Sequence, residues 1–203
     1  MAGPSDRRTA ILEAAAAAFA DAGYHEAGVA DIAARLGIGH GTFYRYFRSK
    51  RDVLAAVVED TLSPLLAAAR RAAGQAPSLS AFEQRLGDLA DEVLGAFEAR
   101  PALARVLLVE APAADPELRE AVAAAEREMA AQVRQLFFGG IRQGYLAAAG
   151  DPEVAARALV TLLLQGVLEN VTEGRSAAEA RRRLGRTLRL VVHGAAHGRR
   201  GTP

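Results

Sequence analysis

The 203-residue sequence predicts an all-α protein of about nine helices, a small three-helix head followed by a larger helical body. Three observations carry that expectation. Apolar residues make up 51% of the chain and recur at i, i+3 and i+4 spacing, with no convincing period-two alternation. Alanine, the best helix former, dominates the composition. Glycine and proline cluster at a few points that separate the periodic segments, where helices end or begin.

Composition also narrows the chemistry. The chain has no cysteine, so disulfides and thiolate metal sites are excluded, and a reducing cytoplasm is the expected location. No stretch reaches the roughly 18 or more uncharged apolar residues that a membrane span needs. Arg7-Arg8 ahead of an alanine-rich run resembles a secretory leader, but Glu13 interrupts the run and Asp21 stands where a small-residue cleavage site belongs. Net charge is +1 but unevenly placed: residues 181–203 hold seven arginines and no acid. Lys50 is the only lysine, which reads as a compositional bias. The arginine-rich face lies over an apolar stripe, the ordinary pattern of a solvated helix.

Taken in order, Ser5 can cap a first helix to about Ala22, with Ile11, Leu12, Ala15 and Phe19 as its buried stripe and Gly23 as its stop. Gly28 opens a second helix whose inner face is Ile32, Ala33 and Leu36. Gly37 falls where a helix end favours a left-handed residue, a conformation that lacks a steric penalty only in glycine. Gly39 opens a third, short helix anchored by Phe43 and Phe47 at i, i+4. Its outward residues are Thr42, Tyr44, Arg45 and Tyr46, all able to hydrogen-bond phosphate, with Lys50 and Arg51 just beyond. Two helices joined by so short a glycine turn form the helix-turn-helix of DNA-binding proteins.

The run Gly41-Thr42-Phe43-Tyr44-Arg45-Tyr46-Phe47, followed by Lys50, resembles the end of the DNA-binding domain of the TetR family of bacterial transcriptional regulators. Asp31-Ile32-Ala33 and Gly37-Ile38 match as well, and the likeness covers roughly Arg8 to Leu54. Gly28 and Gly39 depart from it, since the family usually carries Thr or Ser at those starts. A glycine cap offers no side-chain acceptor and loses a few tenths of a kcal/mol. The resemblance implies a DNA-binding domain over 1–50 and a ligand-binding and dimerisation domain over 51–203. It places His40, Gly41 and Arg45 near base edges, and Thr42, Tyr44, Tyr46 and Lys50 mainly on phosphates.

Beyond the head, a helix starting at Lys50 carries Val53, Leu54, Val57, Val58, Leu62, Leu65 and Leu66, and Pro64 predicts a kink or break near Ser63. Gly74 to Pro77 is a connector, and Ser80-x-x-Glu83 is a capping box ahead of Phe82, Leu86, Leu89, Val93 and Phe97. A short helix lies between Pro101 and Pro112. Asp115-Pro116-Glu117 and Asp151-Pro152-Glu153 each read as N-cap, proline at N1 and an acid in the first turn. Ser176-x-x-Glu179 is another box, opening a last helix from about Ala177 to Ala196. Val154 to Val171 is apolar nearly all round, as in a helix buried on several sides or packed at a subunit interface.

In the TetR family the last two helices form a four-helix bundle with a two-fold partner. That resemblance implies a homodimer with Leu162, Val167, Leu184, Leu188 and Val191 at the interface. It also implies a small-molecule effector bound in the larger domain. Polar residues set among apolar helices are the candidates to meet it: Arg105, Glu110, Thr161, Gln165, Glu169 and Asn170. Gln165 and Asn170 suit the dimer contact equally, and Arg105 with Glu110 suits a solvent face.

Other signals lead nowhere. His193 and His197 have an i, i+4 metal spacing but no third ligand, so no metal site or cofactor is expected. Gly139-Gly140 and Gly144 follow no strand and precede no Lys-Ser/Thr, so they are no phosphate loop. No nucleophile–base pair or carboxylate pair stands out, and an enzyme is not expected. The expected function is a ligand-responsive transcriptional regulator, most simply a repressor that a small apolar or amphipathic molecule releases from a palindromic operator on double-stranded DNA. The alternative is a helical adaptor module without DNA binding.

Overall fold

The structure is a computed structural model; it describes residues 4–146, 151–173 and, beyond them, 178–179, 181–183, 185–187 and 189–190. Every regular element among these is helical. In chain order they are α1 (Pro4–Ala22), α2 (Val29–Arg35), α3 (His40–Tyr44), α4 (Lys50–Ala72), α5 (Leu79–Ala99), α6 (Pro101–Arg105), a π-helical turn (Val106–Glu110), α7 (Ala111–Ala114), α8 (Pro116–Gln143) and α9 (Pro152–Glu173). The described residues between 178 and 190 are helical too. The Ser176 capping box lies outside the described residues.

Packing divides the chain into two compact units. One is the chain up to Ser63 with Arg100–Ala123; the other is Pro64–Ala99 with the chain from Ala124 onwards. Leu103, Ala104, Val106, Leu107 and Ala111 are all buried, and α6 and the π turn lie against α1. The apolar side of that segment is covered by the head.

In the first unit, Ile11, Ala15, Phe19, Ile32, Phe43, Val53 and Leu54 form a core with almost no exposure. Gly23 ends α1 in the left-handed region at φ 81°. In the second unit, α5 buries Phe82, Leu86, Leu89, Ala90, Val93, Leu94 and Phe97 along one stripe and packs on α9. The Phe82 ring meets Phe137 edge-on at 5.0 Å, and the Tyr145 hydroxyl donates to the Ala76 carbonyl at 2.9 Å.

Two predicted helix starts are built as expected. Asp115 Oδ1 accepts from the Glu117 and Leu118 amides at 2.8 and 3.2 Å, and Asp151 Oδ1 accepts from Glu153 at 2.8 Å. Three other expectations change. Helix α4 runs through Pro64 without the break that is one of the two outcomes expected there. Proline removes one backbone bond, worth ~3 kcal/mol with its clash, but Leu65, Ala68, Ala69 and Ala72 beyond it stay buried, and their burial outweighs that loss. Helix α5 starts two residues earlier than the Ser80 box implies, because Ser78 Oγ accepts the Ala81 amide at 3.2 Å and serves as the cap. The short helix after Pro101 continues to Ala114 by widening into a π turn. That turn directly precedes Pro112, whose ring in an unbroken α-helix would clash with the carbonyl of Leu108.

Candidate functional site

The helix pair of the head is fixed by its caps. At the start of α2, Asp31 Oδ2 accepts the Gly28 amide at 2.7 Å, the half of a capping box that the third helical residue supplies; the half that a Ser or Thr side chain would add is absent with glycine. At its end, Ile38 N–H reaches Ala33 O at 3.0 Å and Gly37 N–H reaches Ala34 O at 3.1 Å, with Gly37 at φ 61°. These two bonds are the Schellman arrangement, and they set where α3 departs.

Helix α3 hangs on two rings. Phe43 and Phe47 are buried with centroids 5.9 Å apart, and Arg8 lies over the Phe47 ring at 5.5 Å. Everything else on α3 turns outward. Tyr44 is 55% exposed although it rests edge-on against Phe43. His40, Gly41 and Arg45 are exposed, and Thr42 and Tyr46 are half-buried. No atom lies within 4 Å of where a Cβ on Gly41 would stand, so backbone there can approach another molecule closely. Arg48, also exposed, extends the basic rim beyond α3; the family pattern did not single it out, although an arginine between the two helices is the available signal.

Lys50 stands apart from this surface. Its Nζ donates to the carbonyls of Tyr24 at 2.7 Å and His25 at 3.0 Å, and it sits 4.5 Å from the Tyr24 ring centroid. The Tyr24 amide in turn donates to Glu110 Oε2 at 2.9 Å, and Arg105 Nε reaches Glu110 Oε1 at 3.4 Å. Of the polar effector candidates, Glu110 therefore binds the loop after α1, and Arg105 reaches that loop only through Glu110. Next to them Arg51 pairs with Asp115 at 2.5 Å and Glu117 at 2.6 Å. The hydrogen bond from Arg51, chief among several causes, holds the Asp115 carboxyl below the usual range and raises Arg51. Burial, aided by Asp115, pushes the Tyr24 hydroxyl up.

The remaining candidates lie on or beside the outer face of α9. Val154, Arg157, Ala158, Thr161, Leu162 and Gln165 are exposed at i, i+3, i+4, i+7, i+8 and i+11, one stripe of the helix. Val154 is 62% and Leu162 43% exposed. Thr161 donates to Glu126 at 2.9 Å, Gln165 to Glu169 at 3.4 Å, and Glu169 also pairs with Arg183. Asn170 is half-buried. Val167 departs from the expected interface, being 1% exposed within the protomer's own core, one face round from Leu162. Leu184, Leu188 and Val191, together with His193 and His197, lie outside the described residues.

The second unit also contains a cavity of about 310 Å³. Leu86, Leu89 and Ala90 of α5, Val133 of α8, and Leu159, Val160 and Leu163 of α9 wall it; Gly87, Asp91, Arg181 and Gly185 edge it. None of the six sequence-derived effector candidates lines it. Polar residues in apolar helices do not mark this half-open cleft, whose walls are apolar residues brought together from distant segments.

Two family models match the chain: one for bacterial regulatory proteins of the tetR family, over residues 11–57, and one for a tetracyclin repressor-like C-terminal domain, over residues 80–167. The transcriptional activator FasR of Mycolicibacterium smegmatis is 37% identical over 67 residues, 33% of this chain. The chain spans only 31% of that relative's length. The fatty acid degradation regulator FadR of Bacillus halodurans superposes with a TM-score of 0.77 at 23% identity, covering 97% of this chain and 99% of that one. FadR of Bacillus subtilis, solved in complex with stearoyl-CoA, superposes with a TM-score of 0.74 at 20% identity, over 92% of this chain and 98% of that one. At these identities the superpositions show the fold.

Proposed function

The chain belongs to the TetR family of transcriptional regulators, and on that premise we propose that it is a homodimeric, effector-released repressor of a palindromic operator, acting in the cytoplasm and without catalytic activity. The observation that carries the DNA-binding part is the outer face of α3: Tyr44 exposed, Gly41 unobstructed and Arg45 outward, over the buried Phe43–Phe47 anchor. A helix so presented enters a major groove, with His40, Gly41 and Arg45 toward base edges and Thr42, Tyr44, Tyr46 and Arg48 toward phosphates. Lys50 supports this surface from behind, through the loop after α1.

The exposed stripe on α9 supports the dimer, with Leu162 at its centre. Two-fold pairing would place two heads on half-sites about one helical turn or more apart. An effector can release such a dimer only by binding the released conformer more tightly than the DNA-bound one. Its class is small and apolar or amphipathic; the stearoyl-CoA bound by a protein of the same fold supports a fatty-acyl type. The reading is tested by selecting bound sequences from random duplex DNA with the full chain. Enrichment of an inverted repeat is expected. Enrichment of a single unrepeated site, or of nothing, would sink it.

A further inference from the structure

We propose that His40 reads a guanine in each operator half-site as an imidazolium, so that DNA binding takes up protons and strengthens as the pH falls. The proposal rests on the DNA-binding reading above and deepens it by naming a base and a regulating condition for the same surface.

Position is the first argument. The residues that open a recognition helix meet base edges, and α3 opens at His40, with Gly39 as its cap and Gly41 next. Of these three only His40 has a side chain, so base contacts at this end fall to one imidazole. Histidine is short, and it reaches a base only where the backbone comes close to the groove floor. Gly41 allows that approach. Its φ is not positive, and nothing stands within 4 Å of a Cβ built on it, so neither its backbone nor its packing calls for glycine. Inside a helix glycine costs stability relative to alanine. What its bare backbone gains is room on the outside, and Gly39 leaves the same room on the other side of His40.

The second argument is chemical. His40 is exposed, and no hydrogen bond, ion pair or ring contact ties it to another of the described residues. The charged groups of α2, the helix packed on α3, are engaged elsewhere: Asp31 accepts the Gly28 amide at 2.7 Å, and Arg35 pairs with Asp21 at 2.7 Å. On its own element Tyr44 lies one turn along, with Arg45 and then Arg48 beyond, all three exposed. None of these gives the imidazole an anion. DNA supplies acceptors on both sides of the ring. Guanine shows N7 and O6 in the major groove, adjacent acceptors with no donor, and phosphate oxygens accept as well. The two ring nitrogens point to opposite sides, and in neutral imidazole one of them carries no hydrogen. Only the imidazolium donates to guanine and to phosphate at once. Adenine sets an amino donor beside its N7, cytosine presents only a donor, and thymine has a single acceptor. Histidine changes charge between pH 5 and 8, and anions nearby favour its charged form. The contact is therefore made in acid and lost as the pH rises.

The test is fluorescence anisotropy with the full-length protein on the duplex recovered by selection from random DNA, across about pH 5.5 to 8.5 at fixed ionic strength. Affinity should be about tenfold higher at the acid end. His40→Gln should bind without that dependence. A selection repeated with His40→Gln should enrich adenine where the wild type enriches guanine, because a glutamine amide matches the donor and acceptor of adenine. His25→Gln, exposed in the loop after α1, should keep the wild-type profile. Gly41→Ala meets no clash and favours the helix, so it should melt no lower than wild type yet bind DNA about tenfold more weakly and with a flatter profile. Four results would each overturn the assignment while leaving DNA binding in place: wild-type affinity indifferent to pH, a dependence retained in His40→Gln or lost in His25→Gln, the same base enriched by wild type and His40→Gln, or Gly41→Ala binding like wild type. A protein that enriches no duplex undoes the DNA-binding reading and the assignment with it.

Discussion

Lys50→Met separates two roles that a lysine beside a recognition helix can play. In the structure two of its three N–H donors are spent on the carbonyls of Tyr24 and His25, and the ammonium faces the Tyr24 ring at 4.5 Å. Hydrogen bonds to a charged group contribute about 1.5–3 kcal/mol each; at this partly exposed place the lower end applies, about 3 kcal/mol for both. The ring adds ~0.5–1 kcal/mol. Against this, a cation at the first residue of α4 opposes the helix dipole, and its removal returns ~0.5 kcal/mol. Water reaching the freed carbonyls recovers part of the rest, which leaves a net loss of about 2–3 kcal/mol. For a chain of this size that lowers Tm by about 5–10 °C. Circular dichroism melts give the stability, and operator binding measured across a salt series gives the number of phosphates neutralised. The expected outcome is a lowered Tm with an unchanged salt slope, once measured well below the melt. A slope reduced by about one at unchanged Tm would refute the reasoning and make Lys50 a phosphate contact.

Phe43→Ala empties a fully buried site under α3 and should cost about 3–5 kcal/mol, removing DNA binding while α5, α8 and α9 keep their helical signal in circular dichroism. Asp115→Asn tests the Arg51 pair by pH. The carboxyl is held below its ordinary value of about 3.9, so the pair's stability is fully present above that value and is lost as pH falls through the lowered one. The variant should therefore be less stable than wild type at pH 7 in urea titrations, with the difference vanishing in acid. Leu162→Arg places a charge on the exposed α9 stripe and should shift the protein from dimer to monomer in sedimentation equilibrium, with the folded protomer intact.

Signals that act within one turn of helix were legible in the sequence. The left-handed Gly37, the caps at Asp115 and Asp151 and the Phe43–Phe47 anchor all depend on neighbours a few residues away, and the structure builds each of them. Choices between nearby equivalents were less so: Ser78 and Ser80 both can cap, and the structure uses the first. What depends on distant partners was not legible. Glu110 reads as a polar residue in an apolar helix, but its acceptor role faces the amide of Tyr24, 86 positions away. The cavity is the same case, since Leu86, Val133, Leu159 and Arg181 share no local pattern. Pro64 shows the converse for the break it could impose, which the burial of Leu65, Ala68 and Ala69 beyond it overrides.

The central claim is that α3 reads duplex DNA, and fluorescence anisotropy tests it most directly. The purified protein is titrated onto labelled DNA from immediately upstream of its own gene, and onto the inverted repeat recovered by selection, at two salt concentrations, beside Tyr44→Ala. Tight binding to one of these duplexes that weakens steeply with salt and is lost in the variant is the predicted result. Binding to neither duplex, or binding indifferent to salt and to Tyr44→Ala, would contradict the account and leave a helical module that engages a protein partner.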